Sequence, residues 1–424
     1  MPVAMTQLEV PDYDLGIRGK LVRTEKTMNP AGLAFCTILY GLSVVDEVTD
    51  TPASNAANGY PDARLTPDES TRVELTWRPG TEAVIADMVG ADGAPVEMSP
   101  RNCLRALVER YADRGLEPVL GFEYEFWLFQ DGPAGADARS PLGSTENAYS
   151  LTRVSQSHSL AAEFIDRMHA VGVEIEMFHT ELGPGFFEFT MAPAPACRAA
   201  DAAVRARQYL RDLCAERGLH ASFMAKPFGD KSGAGGHVHS SLTRDGANIF
   251  TDGPGRLSAD ATHYLAGLLA GMADTTALFN PYVNSYKRID PEMFTPTAAT
   301  YGYDDRSAAC RLILDHAKSA RVEHRRPGAD TSPYLAASAL LAAGLHGLEN
   351  ELGLPDSGDG PAPLPGDLST ALDAFEHSAW LPDLLGKAFC SSFAATRRAE
   401  ADRYAQWLRT TITSWELTRH LEHQ

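Results

Sequence analysis

The sequence predicts an α+β protein with a small, strand-rich N-terminal domain and a larger domain in which strands and helices alternate. In the first hundred residues, short runs of β-branched and aromatic residues are separated by Pro/Gly/Asp clusters. Apolar residues take up a helical spacing over 101–115, and strand-like and helix-like segments alternate beyond it. We therefore expect one domain over residues 1–104 and a second over 105–424.

The elements follow from these patterns in chain order. Extended segments are predicted at 19–22, 33–42 and 72–77, and the Asp92-Gly93 turn within 87–97 indicates a hairpin. The larger domain has predicted strands at 120–129, 173–179, 186–191, 221–226 and 236–242. Its predicted helices lie at 101–115, 157–170, 199–217, 258–278, 331–350 and 397–421, with loops at 131–145 and 352–367.

Charge and composition exclude several classes of protein. The chain has 56 acidic and 37 basic residues, a formal net charge of −19, which repels nucleic acids and anionic membranes. The longest apolar stretch, 334–345, is too short to cross a bilayer, and no signal-peptide pattern is visible. The six cysteines form no CxxC pair, which argues against a zinc or redox site. We expect a reduced, cytoplasmic protein.

Four short segments carry charged or metal-ligating residues at alternate positions of a strand or on either side of a Gly-Pro-Gly turn. Alternate positions share one face of a strand. The residues are Glu123 and Glu125, Glu181 and Glu188, His237 and His239, and Arg321, Glu323 and Arg325. One such alternation is ordinary on a strand with a solvated face, whereas several in apolar surroundings indicate a functional site.

These residue types point to phosphoryl transfer. Clustered glutamates remain ionised only when cations neutralise them, and an oxygen-rich ligand set suits Mg²⁺ or Mn²⁺ better than zinc. Guanidinium groups match phosphate and carboxylate oxygens. The candidate arginines are Arg288, Arg306, Arg311, Arg321 and Arg325. The sequence has neither a P-loop nor a kinase-type glycine loop, so a different nucleotide site is expected.

The ordered motifs resemble those of the glutamine synthetase family. GFEYEFWLF resembles its paired-glutamate strand, HTELGPGFFEF its two-glutamate turn, and GAGGHVHSSL its Gly-rich HxHxS motif. NPYVNSYKR resembles the family signature, and RSAACR and ARVEHRRPGADTSPYL resemble its arginine segments. With NGYPDARLTPDEST and TWRPG near the end of the small domain, the resemblance spans nearly the whole chain.

The resemblance implies a fold, an assembly and a reaction. The N-terminal domain would be a β-grasp domain, and the catalytic domain an antiparallel sheet shaped into a funnel with helices around it. A homo-oligomer is expected, as a dodecamer of two stacked hexameric rings with active sites between neighbouring subunits, although the sequence leaves a single hexamer open. In the implied reaction, ATP phosphorylates the γ-carboxylate of glutamate, and an amine then displaces phosphate.

The resemblance also implies a role for each candidate residue. Two or three Mg²⁺ or Mn²⁺ ions per active site would be held by Glu125, Glu181 and Glu188 and by Glu123, His237 and Glu323. ATP would contact His239, Ser241, Arg311, Lys318 and Arg321, and the acid and amine would contact Gly233, Arg288, Arg325, Phe294 and Tyr40. The implied catalytic residues are Arg306, which meets the transferred phosphoryl group, Arg288 and Glu181.

Several positions depart from the family pattern. The glutamate of the flap over the ammonium site is replaced by Phe294 in KRIDPEMFTP, although a shift of two residues would put Glu292 there. Tyr40, in YGLS, stands at the best match for an aspartate in the small-domain loop. Phe186 replaces a glutamine of the two-glutamate turn, and Ser232 replaces an asparagine before the HxH motif.

The exchanges at Phe294 and Tyr40 remove two carboxylates that would attract ammonium and take its proton. Aromatic faces favour an organic ammonium ion or an amine with an apolar tail. The sequence therefore predicts a γ-glutamylamide synthetase, similar to the γ-glutamylpolyamine and γ-glutamylethanolamide enzymes, without naming the amine. The alternatives are an ordinary glutamine synthetase, a guanidino-phosphotransferase of the same fold, and an inactive scaffold or regulator. The retained arginines and glutamates argue against the last two.

Overall fold

The α+β fold class is confirmed by two β-sheets that follow one another along the chain, the second surrounded by helices. The computed structural model describes residues 3–14, 16–29, 32–132, 135–355 and 360–422 of the 424-residue chain. In this part of the chain no helix combines the length and the apolar character needed to cross a membrane. The division of the domains at residue 104 stays a prediction.

The first sheet is formed by six strands of the N-terminal region. They are β1 (Met5–Pro11), β2 (Ile17–Arg23), β3 (Leu33–Cys36), β4 (Asp62–Pro67), β5 (Val73–Glu74) and β6 (Thr81–Val89). Their spatial order is β2-β1-β6-β4-β3, with β5 beside β6. Strands β1 and β6 run parallel, and the other pairs are antiparallel. Leu8, Val84 and Leu65 are buried in the core of this sheet.

Two N-terminal strands are shorter than the sequence predicts. The segment predicted as extended over 33–42 leaves the sheet after Cys36, because Thr37–Gly41 form a 3-10 turn. The segment predicted over 72–77 pairs only at Val73–Glu74. The predicted reversal within 87–97 is present, since the Gly90 N–H donates to the Ala94 carbonyl at 2.8 Å.

The second sheet holds eleven strands within the described ranges. They are β7 (Glu117–Gly132), β8 (Gly135–Pro141), β9 (Ile175–Thr180), β10 (Phe186–Met191), β11 (Ala194–Pro195), β12 (Leu219–Ser222), β13 (Val238–Arg244), β14 (Ala247–Asn248), β17 (Tyr301–Tyr303), β18 (Cys310–Ile313) and β19 (Arg321–His324). Strands β15 (Thr251–Gly253) and β16 (Arg256–Leu257) form a separate hairpin. The main path is β17-β18-β19-β13-β7-β10-β9, which puts β7 between β13 and β10.

Part of the loop predicted over 131–145 is strand β8, and residues 133 and 134 of this loop lie outside the described residues. Residues 356–359 of the loop predicted over 352–367 also lie outside them.

The helices other than the first follow the first sheet in the chain, and the first contacts strands β1 and β2. The helices are α1 (Thr24–Thr27), α2 (Pro100–Ala112), α3 (Leu151–Gln156), α4 (His158–Ala170), α5 (Ala196–Glu216), α6 (Ala259–Ala270), α7 (Met272–Phe279), α8 (Pro333–Glu349), α9 (Leu368–His377), α10 (Leu381–Leu385), α11 (Lys387–Thr410) and α12 (Ser414–His420). The helix predicted over 258–278 is divided at Gly271 into α6 and α7. The helix predicted over 397–421 is divided as well, because Thr413 caps a new helix.

Buried ion pairs join the first sheet to the helices of the second. Arg205 on α5 places Nε 2.7 Å from Glu9 Oε2, and the Tyr209 hydroxyl donates to Glu9 Oε1 at 2.6 Å. Arg101 on α2 likewise places Nη1 2.6 Å from Oδ1 of Asp87 on β6. Because buried charges are costly unless paired, these contacts fix the position of one sheet relative to the other.

Candidate active site

The strand register brings the predicted ligands to one face of the second sheet. Glu188 on β10 lies opposite Glu125 on β7, and His179 on β9 lies opposite Glu188. On the other side of β7, Glu323 on β19 lies opposite His239 on β13. The reverse face of β7 carries the buried side chains Phe122, Tyr124 and Phe126, so its glutamates are directed away from the core.

Glu123 lies between His239 on β13 and His237, which directly precedes that strand. Its Oε1 is 2.6 Å from His237 Nδ1, and its Oε2 is 3.2 Å from His239 Nε2. Glu323 also approaches His237, with its Oε1 3.6 Å from His237 Nδ1. Glu123, His239 and Glu323 place ligand atoms within 4.8 Å of one another. His239, which the sequence assigned to ATP, therefore lies among the predicted metal ligands together with His237.

The two carboxylates of this first cluster remain ionised. Burial disfavours the charge on Glu123, yet hydrogen bonds from His237 and His239 hold its pKa well below the usual range. Burial also disfavours the charge on Glu323, but the nearby charges of His237, His239 and Arg325 lower the pKa of its carboxyl group below the usual value. The neighbouring histidines and arginine thus favour the ionised form of both carboxylates in the first cluster.

A second cluster forms around a histidine that the sequence analysis missed. His179 Nε2 is 3.2 Å from Glu188 Oε1, and its Nδ1 is 3.5 Å from Glu181 Oε1. Ligand atoms of these three residues lie within 4.8 Å of one another. Glu125 stands beside Glu188 across the β7–β10 pair and accepts the Gly235 N–H at 2.6 Å. His179 is on β9, and Glu181 follows the end of that strand two residues later, so the spacing used for the other motifs would have found His179.

The acids of the second cluster are harder to ionise. Burial, followed by repulsion from the neighbouring glutamates, raises the pKa of Glu125 from 4.5 to about 7. Burial likewise raises the pKa of Glu188 to about 7 despite its hydrogen bond with His179. Burial also raises the pKa of Glu181. A bound cation would relieve both the desolvation and the mutual repulsion, since an opposite charge nearby favours the ionised form.

The donor set fits hard divalent cations. Five partly or fully buried glutamates on one face supply the oxygens that Mg²⁺ and Mn²⁺ prefer, and histidines supply the remaining donors. Burial and the neighbouring carboxylates raise the pKa of Glu125 and Glu188 to about 7, and a cation at this position would favour their ionised forms.

We predict that Mg²⁺ stabilises the fold more at pH 8 than at pH 5.5. The unfolded chain releases the protons of Glu125 and Glu188 near their ordinary pKa of 4.5, whereas the folded protein keeps them until about 7. Without metal, these acids therefore lower folding stability as the pH rises through that window, and a cation opposes the loss. A Mg²⁺ concentration about a hundredfold above its Kd would contribute about 2.7 kcal/mol.

The measurement is the melting temperature with and without Mg²⁺ at both pH values. The double variant Glu125→Gln, Glu188→Gln should lose the pH dependence of the Mg²⁺ effect. Glu117→Gln, at an exposed position of the same strand, should keep it. An unchanged melting temperature on adding millimolar Mg²⁺ or Mn²⁺ at pH 8 would count against a metal site.

Arginines surround the two clusters. Arg311 Nη1 is 2.9 Å from Glu323 Oε2, and Arg325 pairs with the other oxygen of that carboxylate. Arg321 donates from Nε to His239 Nδ1 at 3.1 Å. Arg288 is buried, with Nη1 donating to the Arg326 carbonyl at 3.1 Å and Nη2 3.5 Å from His237 Nε2. Cationic and anionic groups thus alternate around the face, as the transfer of a phosphoryl group requires.

The glycine run before the HxH motif allows this close packing. A Cβ at Gly235 would lie 2.8 Å from His237 Nε2 and 3.1 Å from Arg288 Nη2. A Cβ at Gly233 would lie 2.6 Å from Arg288 Cγ. Gly233, which the sequence predicted to contact the acid substrate, therefore lies directly against Arg288.

Tyr149 is a second feature that the sequence analysis missed. Its ring is 71% exposed and lies 5.1 Å from the His179 ring, and its backbone is left-handed at φ +57°. The nearby charge of Glu181, more than burial, raises the pKa of Tyr149, and Arg306 acts on it in the opposite direction. Arg306 is exposed. No sequence pattern marks a left-handed tyrosine in advance.

The structure corrects the assignment of Tyr40 to the amine. Its side chain is 1% exposed and packs 5.4 Å from the Tyr13 ring in the core of the N-terminal region, where a substrate cannot reach it. The exposed apolar side chains that follow are Val44, Val45 and Val48.

Two predicted ATP contacts lie apart from the hydrogen-bonded clusters. Ser241 shares the face of β13 with His237 and His239 and is half-buried. Lys318 lies on an exposed turn, and only its carbonyl makes a described contact, with Asn248 at 3.5 Å.

The predicted flap forms a tight exposed turn after Arg288. Residues Pro291–Met293 form a single 3-10 turn, and Phe294 follows in a left-handed conformation at φ +58° with 57% of its side chain exposed. Met293 Sδ lies 3.9 Å from Ser232 Oγ, so the turn touches the segment before the glycine run. Glu292 is exposed on the same turn. The flap thus presents an aromatic ring and, two residues before it, a carboxylate.

Comparisons with known proteins agree with this geometry. The family model described as the glutamine synthetase catalytic domain matches residues 97–420. A glutamate–isopropylamine ligase from a Pseudomonas species is 32% identical, covering 98% of this chain and 94% of the relative. Type-1 glutamine synthetase 2 of Dictyostelium discoideum is 31% identical, with 97% and 82% covered. The solved GmaS/ADP complex superposes with a TM-score of 0.85 at 29% identity, over 99% of this chain and 97% of the other.

Proposed function

The chain belongs to the glutamine synthetase family, and we propose that it is an ATP-dependent ligase that joins the γ-carboxyl group of glutamate to an organic primary amine. The observation that carries the choice of amine is the exposed ring of Phe294 on the flap. The activity for which the glutamate–isopropylamine ligase is named supports the same reaction class, and the similarity to this relative covers nearly the whole chain.

In the first step, the γ-phosphoryl group of ATP passes to a γ-carboxylate oxygen of glutamate, with ADP as the leaving group. Arg288 and Arg325 would hold the acid, and Arg306, Arg311 and Arg321 would meet the phosphates. Glu125, Glu181 and Glu188 would hold one divalent cation, and Glu123, Glu323 and the β13 histidines another. Such cations, when bound, neutralise the charge that builds up on the phosphate oxygens.

In the second step, the amine nitrogen attacks the carbonyl carbon of γ-glutamyl phosphate and phosphate leaves. The amine must be neutral to attack, so its ammonium form first gives up a proton to a carboxylate of this face. In total, glutamate, an alkylammonium ion and ATP give a γ-glutamylamide, ADP, phosphate and one proton.

The second candidate is an ordinary glutamine synthetase. The observation that favours it is Glu292, whose exposed carboxylate on the same turn could attract an ammonium ion. In that case Phe294 would only pack against the loop. The two candidates differ in the nucleophile alone, so the nature of the product separates them.

The experiment that tests the function is phosphate release from ATP with Mg²⁺, glutamate and a panel of amines, with mass spectrometry of the product. The proposal expects phosphate release that requires both glutamate and an alkyl- or arylamine, together with the mass of the γ-glutamylamide. Phosphate release that leaves glutamate unmodified, or a product only with ammonium, would overturn it.

We further propose a cytoplasmic homo-oligomer built from stacked hexameric rings. Exposed apolar side chains gather at two places that a neighbouring subunit would cover. One is the loop with Val44, Val45 and Val48, and the other is the end of the chain, with Trp407, Ile412 and Trp415. The loop would complete the active site of the adjacent subunit.

We predict that two inactive variants complement each other in mixed rings. One chain carries Glu125→Ala, and the other carries Val44→Asp and Val45→Asp in the exposed loop. A hybrid ring contains some sites in which an intact loop meets an intact acidic face, so part of the activity should return on mixing. The measurement is phosphate release after co-refolding or subunit exchange. A fully active monomer by light scattering would contradict the shared site.

A further inference from the structure

Arg326 is a fully buried arginine for which the reaction above has no role. Its guanidinium donates from Nη1 to the Pro296 carbonyl at 2.7 Å and from Nη2 to the Pro365 carbonyl at 2.8 Å. Pro296 ends the flap turn that carries Phe294, and Pro365 belongs to the segment before α9. A charged side chain in the protein interior is thus bound to two main-chain carbonyls, one of which belongs to the flap.

The same residue also orients an arginine of the acid site. Its carbonyl accepts the Arg288 Nη1 donor at 3.1 Å and lies 3.4 Å from Asn280 Nδ2. Arg288 immediately precedes the flap, so both ends of the segment 289–296 are bound to one residue. The main chain of Arg326 holds the beginning of the flap, and its side chain holds the end.

The segment around Pro365 braces the flap at its second end. The Ala299 N–H donates to the Ala362 carbonyl at 2.9 Å, and the Leu364 N–H donates to the Thr297 carbonyl at 2.9 Å. Ala298 and Pro363 form the bridge between these two bonds. The hydrogen bonds from Arg326 to the carbonyls of Pro296 and Pro365 continue this pairing into the protein interior. Water cannot replace a lost donor there.

We propose that Arg326 is a positioning residue that sets the flap over the acid site, so that binding of the amine depends on it. The expected change in the KM for the amine rests on the proposed function, whereas the expected change in the mobility of the flap does not. Loss of the guanidinium leaves the carbonyls of Pro296 and Pro365 without donors and frees the flap to move. A displacement of about 1 Å in a positioning element can cost on the order of a hundredfold in rate.

The test compares Arg326→Met and Arg326→Lys with the unaltered protein. Arg326→Met should raise the KM for an alkylamine at least about tenfold, with the KM for ATP changed less than about twofold. Amide hydrogen exchange should speed up over residues 289–299 and 362–364, and not over β7 or β13. Arg326→Lys keeps one donor and should give intermediate values for both measurements.

Arg101→Met is the matched control, because Arg101 is also a buried arginine but its guanidinium contacts Asp68, Asp87 and Asp201. It should lower the melting temperature without faster exchange at 289–299. Unchanged flap exchange in folded Arg326→Met, or equal flap exchange in Arg101→Met, would overturn the inference. If Arg326→Met does not fold, Arg326→Lys decides by the same measurements. If the unaltered enzyme used only ammonium, the proposed amine would be wrong, and the exchange data would still decide the role of Arg326.

Discussion

Replacing Glu125 or Glu188 by alanine is expected to lower amine-dependent phosphate release by at least about a hundredfold. Outer-shell partners of metal ligands already cost about 10- to 100-fold when removed, and these residues belong to the ligand set itself. Glu125 and Glu188 lie opposite each other in the register that joins β7 to β10, so each variant removes a carboxylate from the predicted metal site. The fold should persist, because each variant removes a carboxylate that burial makes difficult to ionise.

The measurement combines phosphate release with light scattering and a thermal melt in the absence of metal. Glu117→Ala, at the exposed start of the same strand, should retain full activity. Retention of more than about a tenth of the activity in Glu125→Ala or Glu188→Ala would contradict the assignment of these glutamates to metal.

The second large effect concerns the amine. An alkyl- or arylamine is expected to have a kcat/KM at least about tenfold above that of ammonium. Each methylene buried against the aromatic surface contributes roughly 0.8 kcal/mol, or about fourfold in affinity. Three such groups exceed the ~0.5–2 kcal/mol that a lone ammonium ion gains from an aromatic face.

Two variants of Phe294 separate the effect of the ring from the effect of charge. Phe294→Glu should narrow the gap between alkylamine and ammonium, because it supplies a carboxylate for the smaller ion. Phe294→Asn removes the ring while suiting the left-handed backbone, so it should weaken the alkylamine without improving ammonium. A loss of ammonium activity in Glu292→Gln, with Phe294→Glu indistinguishable from the unaltered protein, would instead assign the flap to Glu292.

The alternation of charged residues predicted the site because β-strands have a period of two. Glu123 and Glu125, His237 and His239 are on the face that their spacing requires, and pairing with β10 and β19 brings Glu188 and Glu323 to them. The roles of individual residues toward metal, ATP and acid stay predictions. Lys318 and Ser241 make no contact with the clusters among the described residues.

Tertiary packing decided what the sequence could not. Tyr40 matched a loop position in alignment, but its large apolar ring is buried against Tyr13 in the N-terminal core. Tyr149 adopts a left-handed backbone that local propensity disfavours. Gly271 and Thr413 ended helices whose apolar spacing continues on either side. Strand β1 was missed because its partner β6 is distant in sequence, and in that pairing the buried Leu8 lies opposite Val84.

A competition assay tests the central claim most directly. The enzyme receives ATP, Mg²⁺, glutamate, and ammonium and isopropylamine at equal concentration, and mass spectrometry counts the two products. Equal concentrations make the product ratio equal to the ratio of the kcat/KM values, which is free of errors in enzyme concentration. We expect at least about ten molecules of the γ-glutamylamide for each molecule of glutamine. The amine is isopropylamine or, in a repeat of the assay, another alkyl- or arylamine. An excess of glutamine over the amide of every amine tried would contradict the account.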